Sequence, residues 1–435
     1  MNEKTQKYGF LTAISMVVGI VIGSGIFFKA DDILSTTGGS VTLGLIAFIL
    51  VGIGVLFGTL VIAKYAQNNS SEGGVIAYAQ DVFGLRVASY ISWFFIAVYF
   101  PCLIAILGYV TAMYLGQFLG IDNEAFRLLG AVFVITAAFI SNIFSKRLGG
   151  IVQSVSMIIK LIPLLVIGIV GLLFFNTSQA PAVSADTLAN KNFLSALISI
   201  AFAFDGWIVV TSISKDLKNP TKLLPKVLGV GIILVTVVYC LYFVGVSNLV
   251  GPQTIITAGD GYTTLAAEAI AGNFGAHLIL LFVMISVYGG TNGMVLAYLR
   301  LPQALVHKRM MKNILNIEKD NEKVGFSNGS IIFTISFVIF YLIFQGLIST
   351  GVIFSGTGFD LSSMPIIFNY VIYSALYIMV FKVVKKVNFE LVLFSVVAFV
   401  ISIIIIYGAL QTNALLYIGV CFVMTGLGFF VIEKK

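Results

Sequence analysis

Charged side chains are scarce in this sequence. Aspartate, glutamate, lysine and arginine make up 10% of the 435 residues, whereas a soluble globular domain carries roughly 25%. Hydrophobic residues make up 59%, and apolar runs of about 20 residues, the length that crosses a bilayer, recur along the chain. No stretch is both polar and long enough to form a separate soluble domain. The composition therefore predicts one integral membrane domain over residues 1–435.

Cysteine and histidine are also sparse, which excludes several kinds of site. The three cysteines, Cys102, Cys240 and Cys421, are scattered through apolar segments and form neither a disulfide framework nor a zinc motif. The two histidines, His277 and His307, lie at the ends of apolar segments and far from each other. We therefore expect no metal site and no cofactor.

Hydropathy predicts an all-α membrane protein with twelve transmembrane helices. A basic start at Lys4 and Lys7 precedes the first apolar run, but no small-residue cleavage pattern ends it, so a cleaved signal peptide is not expected. The predicted spans, numbered 1 to 12 in chain order, are 9–35, 41–65, 86–116, 126–145, 150–175, 191–216, 225–247, 276–306, 329–348, 361–381, 389–409 and 412–432.

The distribution of positive charge supports this map, because lysine and arginine concentrate in cytoplasmic loops. With the N-terminus in the cytoplasm, 21 of the 25 lysines and arginines fall on the cytoplasmic side. Lys29, Arg127 and Lys191 fall outside, and Lys160 falls within span 5. We predict a multi-pass protein of the cell membrane with both termini cytoplasmic. The net charge of +7 then reflects topology, and no nucleic-acid partner is expected.

The long connection on the outer side, residues 248–275, is not apolar enough to cross the membrane. Its second half, Thr263 to Ala271, predicts a short amphipathic helix. Such a helix either caps an outward-facing cavity or belongs to an ordinary surface loop, and the sequence leaves both open.

Two ionisable residues fall deep inside predicted spans, Lys160 in span 5 and Asp205 in span 6. A charge at the bilayer centre is costly, so such residues usually face a cavity or each other and mark functional positions. The alternative for both is a structural role, as a buried pair or with backbone carbonyls as partners. With no histidine deep in a span and Asp205 as the sole buried carboxylate, no nucleophile–base pair is evident, and an enzyme is not expected.

Glycines interrupt spans 1 and 6. Span 1 contains GIVIGSGIFF at 19–28, and span 6 contains FAFDGWIVV at 202–210. A glycine within a span often only permits close helix packing. Two interrupted spans at corresponding positions of two halves, however, are typical of inverted-repeat transporters that bind their substrate at the interruptions.

The interruption of span 1 predicts a site for a carboxylate. A broken helix exposes backbone N–H groups where its second half begins, and carbonyls where its first half ends. The amides of Gly25 and Ile26, with the Ser24 hydroxyl, are placed to hold a carboxylate. Val21, before the interruption, is assigned to the same predicted substrate site.

The interruption of span 6 predicts a site for an ammonium group. The carbonyls of Phe202 and Ala203 are placed to accept hydrogen bonds from it, so that both charged groups of an amino acid find partners. Phe204 and Trp207 flank this interruption together with Phe202. One of these aromatic residues is a candidate gate, although aromatic residues in membrane proteins mostly serve packing.

Six motifs that run from span 1 to span 8 carry a family resemblance. They are IGSGIF at 22–27, SEGGVIAYAQDVFG at 71–84, QSVSMIIKLIPLL at 153–165, FAFDGW at 202–207, KDLKNPTKLLPKVL at 215–228 and YGGTNGMVLAYLRLPQAL at 288–305. In this order and spacing they resemble the amino acid–polyamine–organocation (APC) superfamily, and within it the L-type-like bacterial amino acid exchangers.

The resemblance implies a LeuT-like fold with the substrate at the interruptions of spans 1 and 6. Two five-helix inverted repeats, at about 9–175 and 191–381, would be followed by two extra helices at about 389–432. It also implies that Lys160 stands where sodium-coupled relatives bind a cation, so that transport is independent of sodium. Ser286, and less surely Asn292, would face this lysine from span 8.

Asp205 stands where mammalian L-type relatives often have glycine, and it either selects small or polar side chains or bonds backbone within the interruption. The sequence also departs from the family pattern. Lys29-Ala30-Asp31 replaces the usual proline after the first interruption, and Ser327-Asn328-Gly329 replaces a Thr-Pro before span 9. These departures concern the subfamily and its substrate rather than the binding motifs.

The resulting prediction is a transporter of amino acids by alternating access, with sodium-independent exchange of small neutral amino acids as its mode. A proton-coupled symporter is the alternative, since Asp205 and Lys160 are both ionisable groups within spans. A membrane sensor that binds an amino acid without net transport is a second alternative from a different class. No motif for an accessory subunit is evident.

Overall fold

The structure is a computed structural model that describes residues 9–23, 25–68, 74–121, 123–144, 156, 158–173, 191–207, 219–319, 326–357, 359–384 and 386–433. Most of these residues are helical and no β-strand occurs within these ranges, which confirms the predicted all-α class. Ser24, the start of span 5 and the second half of span 6 lie outside the described residues.

The α-helices that correspond to the predicted spans follow the chain in the predicted order. They are Phe10–Val21 and Ala30–Thr36, Val41–Asn68, Gly74–Phe94 continued by Phe100–Leu119, Glu124–Phe144, Leu161–Leu173, Lys191–Ala203, Pro220–Val250, Tyr262–His307, Asn328–Ser349, Ser363–Val383 and Phe389–Val431. The remaining elements are the short helix Pro252–Ala258, 3-10 turns at Gly25–Phe27, Gly259–Gly261 and Ile314–Asn316, and a π-helical turn at Phe95–Tyr99.

Eight helices of the described chain are long and apolar enough to cross a membrane. They are Val41–Gln67, Gly74–Leu119, Glu124–Ile143, Lys222–Val250, Pro252–His307, Asn328–Ser349, Ser363–Val383 and Phe389–Gln411. Three further apolar helices are shorter, namely Leu161–Leu173, Asn192–Ala203 and Leu416–Val431. A multi-pass membrane protein is thus confirmed, whereas the count of twelve spans is not.

The end of the chain departs from the predicted spans. Spans 11 and 12 form one uninterrupted helix, Phe389–Val431, of 43 residues. At about 1.5 Å per residue this helix is about twice as long as one crossing of the hydrocarbon requires. The sequence between the two apolar runs contains neither proline nor a long polar stretch, so nothing interrupts the backbone hydrogen bonding at residues 410–411.

The residues divide into two compact units. The first, unit 1, comprises Met1–Gly84, Leu164–Tyr262 and Ile366–Gln411, and the second, unit 2, comprises Leu85–Pro163, Thr263–Pro365 and Thr412–Lys435. Each unit draws on both predicted repeats. The inverted repeats remain a prediction, because the units are groups of contacting residues and not symmetry-related halves.

Unit 1 is built around the helix Pro220–Val250. This helix packs against Val41–Asn68, Phe10–Val21 and Leu161–Leu173. Close approach depends on small residues, since a Cβ atom on Gly171 would overlap the backbone of Gly245. The Asn248 side chain secures the same contact by donating a hydrogen bond to the carbonyl of Gly171 at 3.2 Å.

Unit 2 is built around the helix Phe100–Leu119. It packs against Glu124–Phe144 and Asn328–Ser349, and the Tyr109 hydroxyl donates a 2.8 Å hydrogen bond to Glu124. The helix Asn328–Ser349 begins with a side-chain cap, because Ser327 Oγ accepts a hydrogen bond from the Ser330 amide at 2.9 Å. Ser327, at the position where the sequence departs from the family's Thr-Pro, therefore caps this helix.

The connection 248–275 is largely helical. Pro252–Ala258 packs against Ala30–Thr36 in unit 1. A second helix begins at Tyr262 and loses helical geometry at Ala271 and Gly272, where Gly272 has a φ of 60°. The predicted short helix from Thr263 to Ala271 is therefore confirmed as a helical segment, and its role as a cap remains a prediction.

The contact at Gly171 generates a stability prediction. Replacing Gly171 with alanine forces the helices Leu161–Leu173 and Pro220–Val250 apart, and overpacking of this kind costs about 1–3 kcal/mol. We expect the purified Gly171→Ala protein to unfold at a lower midpoint temperature than the wild-type protein. Unfolding is monitored by size-exclusion chromatography after heating. The matched control is Gly419→Ala, since a Cβ there meets no heavy atom within 4 Å. Equal midpoints for the two variants would contradict the assigned packing.

Candidate functional site

The interruption of span 1 has the predicted form. The helix Phe10–Val21 ends at Ile22, and a 3-10 turn, Gly25–Phe27, precedes the helix Ala30–Thr36. In this turn the Phe28 amide donates to the carbonyl of Gly25 at 3.4 Å. The amides of Gly25 and Ile26 come before this first bond of the turn, and amides that open a helical turn have no acceptor within it.

The interruption of span 6 begins after Ala203, where the helix that starts at Lys191 ends in a turn. The carbonyl of Phe202 accepts a hydrogen bond from the Asp205 amide at 3.0 Å. Gly206 follows with a φ of 93°, a conformation that favours glycine. Each predicted acceptor carbonyl of this interruption, at Phe202 and Ala203, thus already holds one hydrogen bond and keeps a second lone pair for another.

Gly25 brings the two interruptions into contact within unit 1. An ideal Cβ on Gly25 would lie 2.9 Å from Ala203 Cα and 2.9 Å from the Phe202 ring, closer than real Cβ atoms approach. A hydrogen atom in place of a side chain is therefore required at this point. The residues predicted to hold the carboxylate and those predicted to hold the ammonium are consequently neighbours.

Tyr239, which the sequence analysis missed, joins the two interruptions. Its hydroxyl lies 3.0 Å from the carbonyl of Val21 and 2.8 Å from the carbonyl of Ala203, and it is placed to donate to either. The side chain is fully buried, and the Phe204 ring packs against it at 5.1 Å between centroids. Tyr239 is one of 18 tyrosines in the chain, so no sequence signal distinguishes it.

The three aromatic candidates for a gate are all buried. Phe202 contacts Phe28 at 5.7 Å between ring centroids, and Trp207 contacts Tyr373 at 5.2 Å. Phe204 packs on Tyr239 as described above, so each candidate lies against an aromatic partner from another segment. Their gating role remains a prediction.

Lys29 is buried, although the topology prediction counted it among the outward cations. It is 5% exposed. Its ammonium lies 2.9 Å from an Asp32 carboxylate oxygen, and 5.5 Å and 5.8 Å from the ring centroids of Phe28 and Phe202. The ion pair and the two ring faces replace the water that an outward lysine would otherwise have.

Asp205 is half-buried beside span 10. Its carboxylate is close enough to interact electrostatically with the hydroxyl groups of Tyr370 and Tyr373. Both tyrosines are buried, and their rings lie 5.8 Å apart. Asp205 therefore faces a polar part of unit 1.

Lys160 and Ser286 both belong to unit 2 and are both buried, at 5% and 2% exposure. The Lys160 amide bonds to Ser156 one turn earlier, and Ser156 packs directly against Gly289 of span 8. Ser286 lies one turn before Gly289, and its hydroxyl has no hydrogen-bond partner among the described residues. Spans 5 and 8 thus meet near both predicted residues.

Asn292, the less certain candidate, bonds to span 4. It accepts hydrogen bonds through its side-chain oxygen from Asn142 at 2.8 Å and from Ser141 at 3.0 Å. Asn142 and Asn292 are both fully buried. This amide pair fixes span 8 against span 4 within unit 2.

Comparison with known proteins places this arrangement among transporters. A family model described as Amino acid permease matches residues 8–432. The serine/threonine exchanger SteT of Bacillus subtilis (strain 168) is 31% identical over 310 residues, which cover 71% of this chain and 70% of that protein. The b(0,+)-type amino acid transporter 1 of Mus musculus is 30% identical, with 66% of this chain and 60% of that protein covered.

One further sequence relative and one solved structure are also similar to this chain. Large neutral amino acids transporter small subunit 2 of Mus musculus is 28% identical, and the match spans 56% of its length and 66% of this chain. The crystal structure of MhsT in complex with L-phenylalanine matches with a TM-score of 0.65 and 11% identity, covering 93% of this chain and 99% of that one. This likeness confirms the predicted LeuT-like fold.

The contact at Gly25 generates a functional prediction. In Gly25→Ala the new methyl group would push the two interruptions apart, so amino acid uptake into vesicles should fall by about tenfold or more. Gly23→Ala is the matched control two residues away, because a Cβ on Gly23 meets only the carbonyl oxygen of Val21, at 3.8 Å. Equal uptake by the two variants would contradict the assignment of Gly25 to the substrate site.

Proposed function

We propose that this chain, which belongs to the amino acid permease family, exchanges small neutral amino acids across the cell membrane independently of sodium. Membership makes it a multi-pass membrane transporter of amino acids and not an enzyme. The exchange mode, the substrate range, the absence of sodium coupling and the cytoplasmic placement of both termini are the proposed part.

The contact of Gly25 with Phe202 and Ala203 is the observation that carries the proposal. It places backbone amides of one interruption beside backbone carbonyls of the other. A free amino acid offers a carboxylate and an ammonium joined by a single carbon atom, so its two groups reach both sets. Val21, Ser24, Gly25, Ile26, Phe202, Ala203 and Asp205 form the proposed substrate site.

The chemistry of Asp205 argues against an acidic substrate. A half-buried carboxylate close to the site repels an acidic side chain. The relatives differ in whether their named substrates include an acidic amino acid. Their names include a serine/threonine exchanger, a large neutral amino acid transporter and a cystine/glutamate transporter. Among the substrates named for these relatives, the Asp205 carboxylate therefore disfavours glutamate.

The test uses purified protein in lipid vesicles loaded with a mixture of unlabelled amino acids. Uptake of radiolabelled serine, alanine, threonine and leucine is followed with and without sodium, with and without a pH gradient, and into empty vesicles. We expect uptake only into loaded vesicles and no effect of sodium, with protein-free vesicles as the control. Uptake into empty vesicles driven by an inward proton gradient would establish a symporter, and binding without any uptake would establish a sensor.

Lys160 supports sodium independence, because the family resemblance assigns a lysine to the place where sodium-coupled relatives bind a cation, and Lys160 is buried next to the contact of spans 5 and 8. In Lys160→Met, which keeps most of the length of the side chain without its charge, exchange should fall by about tenfold and sodium should not restore it. Lys226→Met is the control, since Lys226 is exposed at the start of the helix Pro220–Val250. Unchanged exchange in a folded Lys160→Met protein would show that transport does not depend on the charge of Lys160.

A further inference from the structure

A cavity in unit 2 lies between the start of span 3 and the end of span 12. Its volume is about 480 Å³. The polar and aromatic part of its lining consists of Arg86, Ser89 and Tyr90 from span 3 and of Phe429 and Glu433 from the end of span 12. Both segments belong to unit 2. We call this space the span 3–12 cavity.

Contacts next to the cavity hold its two walls together. Trp93 Nε1 donates a 2.8 Å hydrogen bond to the carbonyl of Met424, and a Cβ on Gly428 would overlap the Trp93 ring. At the end of the helix, Lys312 Nζ donates a hydrogen bond to the carbonyl of Phe430 at 2.7 Å. The protein's own packing and hydrogen bonds therefore fix the walls, and no ion pair across the cavity is needed to do so.

Two side chains of opposite charge border the cavity without pairing. Arg86 and Glu433 form no ion pair with each other, and neither has an ion pair or hydrogen bond elsewhere in the described part of the chain. A single molecule that crosses the cavity would pair with both if it carried an anionic group for the guanidinium and a cationic group for the carboxylate. The charges of the lining thus indicate a zwitterionic ligand.

The neutral polar groups of the lining divide in the same way. Tyr90 lies one helical turn after Arg86 on the same face, and its hydroxyl, which has no hydrogen bond within the described residues, is available to donate to an anion. The Ser89 hydroxyl already donates to the carbonyl of Leu85 at 2.8 Å, so its oxygen remains as an acceptor. The cavity therefore offers donors for an anionic group and, at Ser89 and Glu433, acceptors for a cationic one.

The surroundings of the cavity favour a lipid over a dissolved zwitterion. The apolar helix Leu416–Val431 leads to it, and on this helix Phe422 and Phe430 are 78% and 71% exposed. Arg86 and Lys312 both fall on the predicted cytoplasmic side, where basic and aromatic side chains meet lipid head groups. A head group in the cavity would leave its acyl chains beside this exposed apolar surface.

We propose that the span 3–12 cavity binds a phospholipid whose head group carries a phosphate and a primary ammonium, as phosphatidylethanolamine does. Arg86 and Tyr90 hold the phosphate, and Glu433 accepts hydrogen bonds from the ammonium. The acyl chains lie along the helix Leu416–Val431. This inference does not depend on which amino acid the protein transports or on the mode of transport.

The test measures lipid binding to the purified, delipidated protein by native mass spectrometry. The protein is titrated with phosphatidylethanolamine, phosphatidylcholine or phosphatidylglycerol of identical acyl chains. Phosphatidylethanolamine should bind most tightly, because choline has no N–H for Glu433 and glycerol has no positive charge. Arg86→Gln and Glu433→Gln should each weaken its binding by about tenfold. Glu433→Gln should not weaken the binding of phosphatidylglycerol, which has no group for the carboxylate.

Arg300→Gln and Glu390→Gln are the matched controls, because both residues are exposed and neither lines the cavity. Both variants should bind phosphatidylethanolamine as the wild-type protein does. Equal affinity of the wild-type protein for all three lipids, or wild-type affinity for phosphatidylethanolamine in either Arg86→Gln or Glu433→Gln, would overturn the site.

A soluble competitor distinguishes a lipid from a dissolved zwitterion. Glycerophosphoethanolamine has the same head group without acyl chains, so at a concentration equal to that of the lipid it should not displace phosphatidylethanolamine. Displacement at equal concentration would show that the acyl chains contribute nothing, and it would overturn a lipid as the occupant of the cavity.

Discussion

Backbone groups that leave a helix inside a membrane must find partners within the protein, and the rest of this structure depends on how that requirement is met. The first helical halves of spans 1 and 6 end at Val21 and Ala203, and the carbonyls of these two residues both lie near the hydroxyl of Tyr239. The hydroxyl of Tyr239 lies at hydrogen-bonding distance from both Val21 and Ala203. One side chain from a third helix is therefore placed to hydrogen-bond the last carbonyl before either interruption.

The position of Tyr239 is in turn fixed by close helix packing. Its helix, Pro220–Val250, approaches Leu161–Leu173 at backbone distance because Gly171 and Gly245 meet without side chains. Gly25 does the same for the two interruptions themselves. In a membrane the hydrophobic effect does not hold helices together, so contact area between backbones and a few hydrogen bonds carry the association. A single added methyl group at these positions therefore has a large structural effect.

The sequence predicts those features whose signal is local. The apolar helices follow from runs of hydropathy, and the interruptions from glycines in GIVIGSGIFF and FAFDGWIVV, because a span without such residues keeps its helical hydrogen bonds. The short helix at Thr263–Ala271 was predicted from local amphipathicity in the same way. Spans 11 and 12 show the limit of this reasoning, since the short polar stretch between the two apolar runs remains helical.

Features that depend on several helices at once are not predictable in this way. Tyr239 is recognisable only when three segments are placed together, and Arg86 and Glu433 border one cavity although they lie far apart in the chain. The charge rule predicts which side of the membrane Lys29 lies on, but it does not predict whether the side chain is buried. Its burial depends on Asp32 and on two aromatic rings, one of which comes from span 6.

The two acceptors of Tyr239 would give the proposed substrate site a means of responding to a bound amino acid. A hydroxyl has one proton, so Tyr239 donates fully to Val21 or to Ala203 but not to both at once. An ammonium that bonded the second lone pair of the Ala203 carbonyl would make that oxygen a weaker acceptor for Tyr239, and would favour the arrangement in which Tyr239 donates to Val21. Occupation of span 6 would thus strengthen the bond that holds the end of span 1's first half. Because a ligand shifts a conformational equilibrium only by binding one state more tightly, a hydroxyl that changes its acceptor in this way would be a physical route from an amino acid bound at span 6 to span 1.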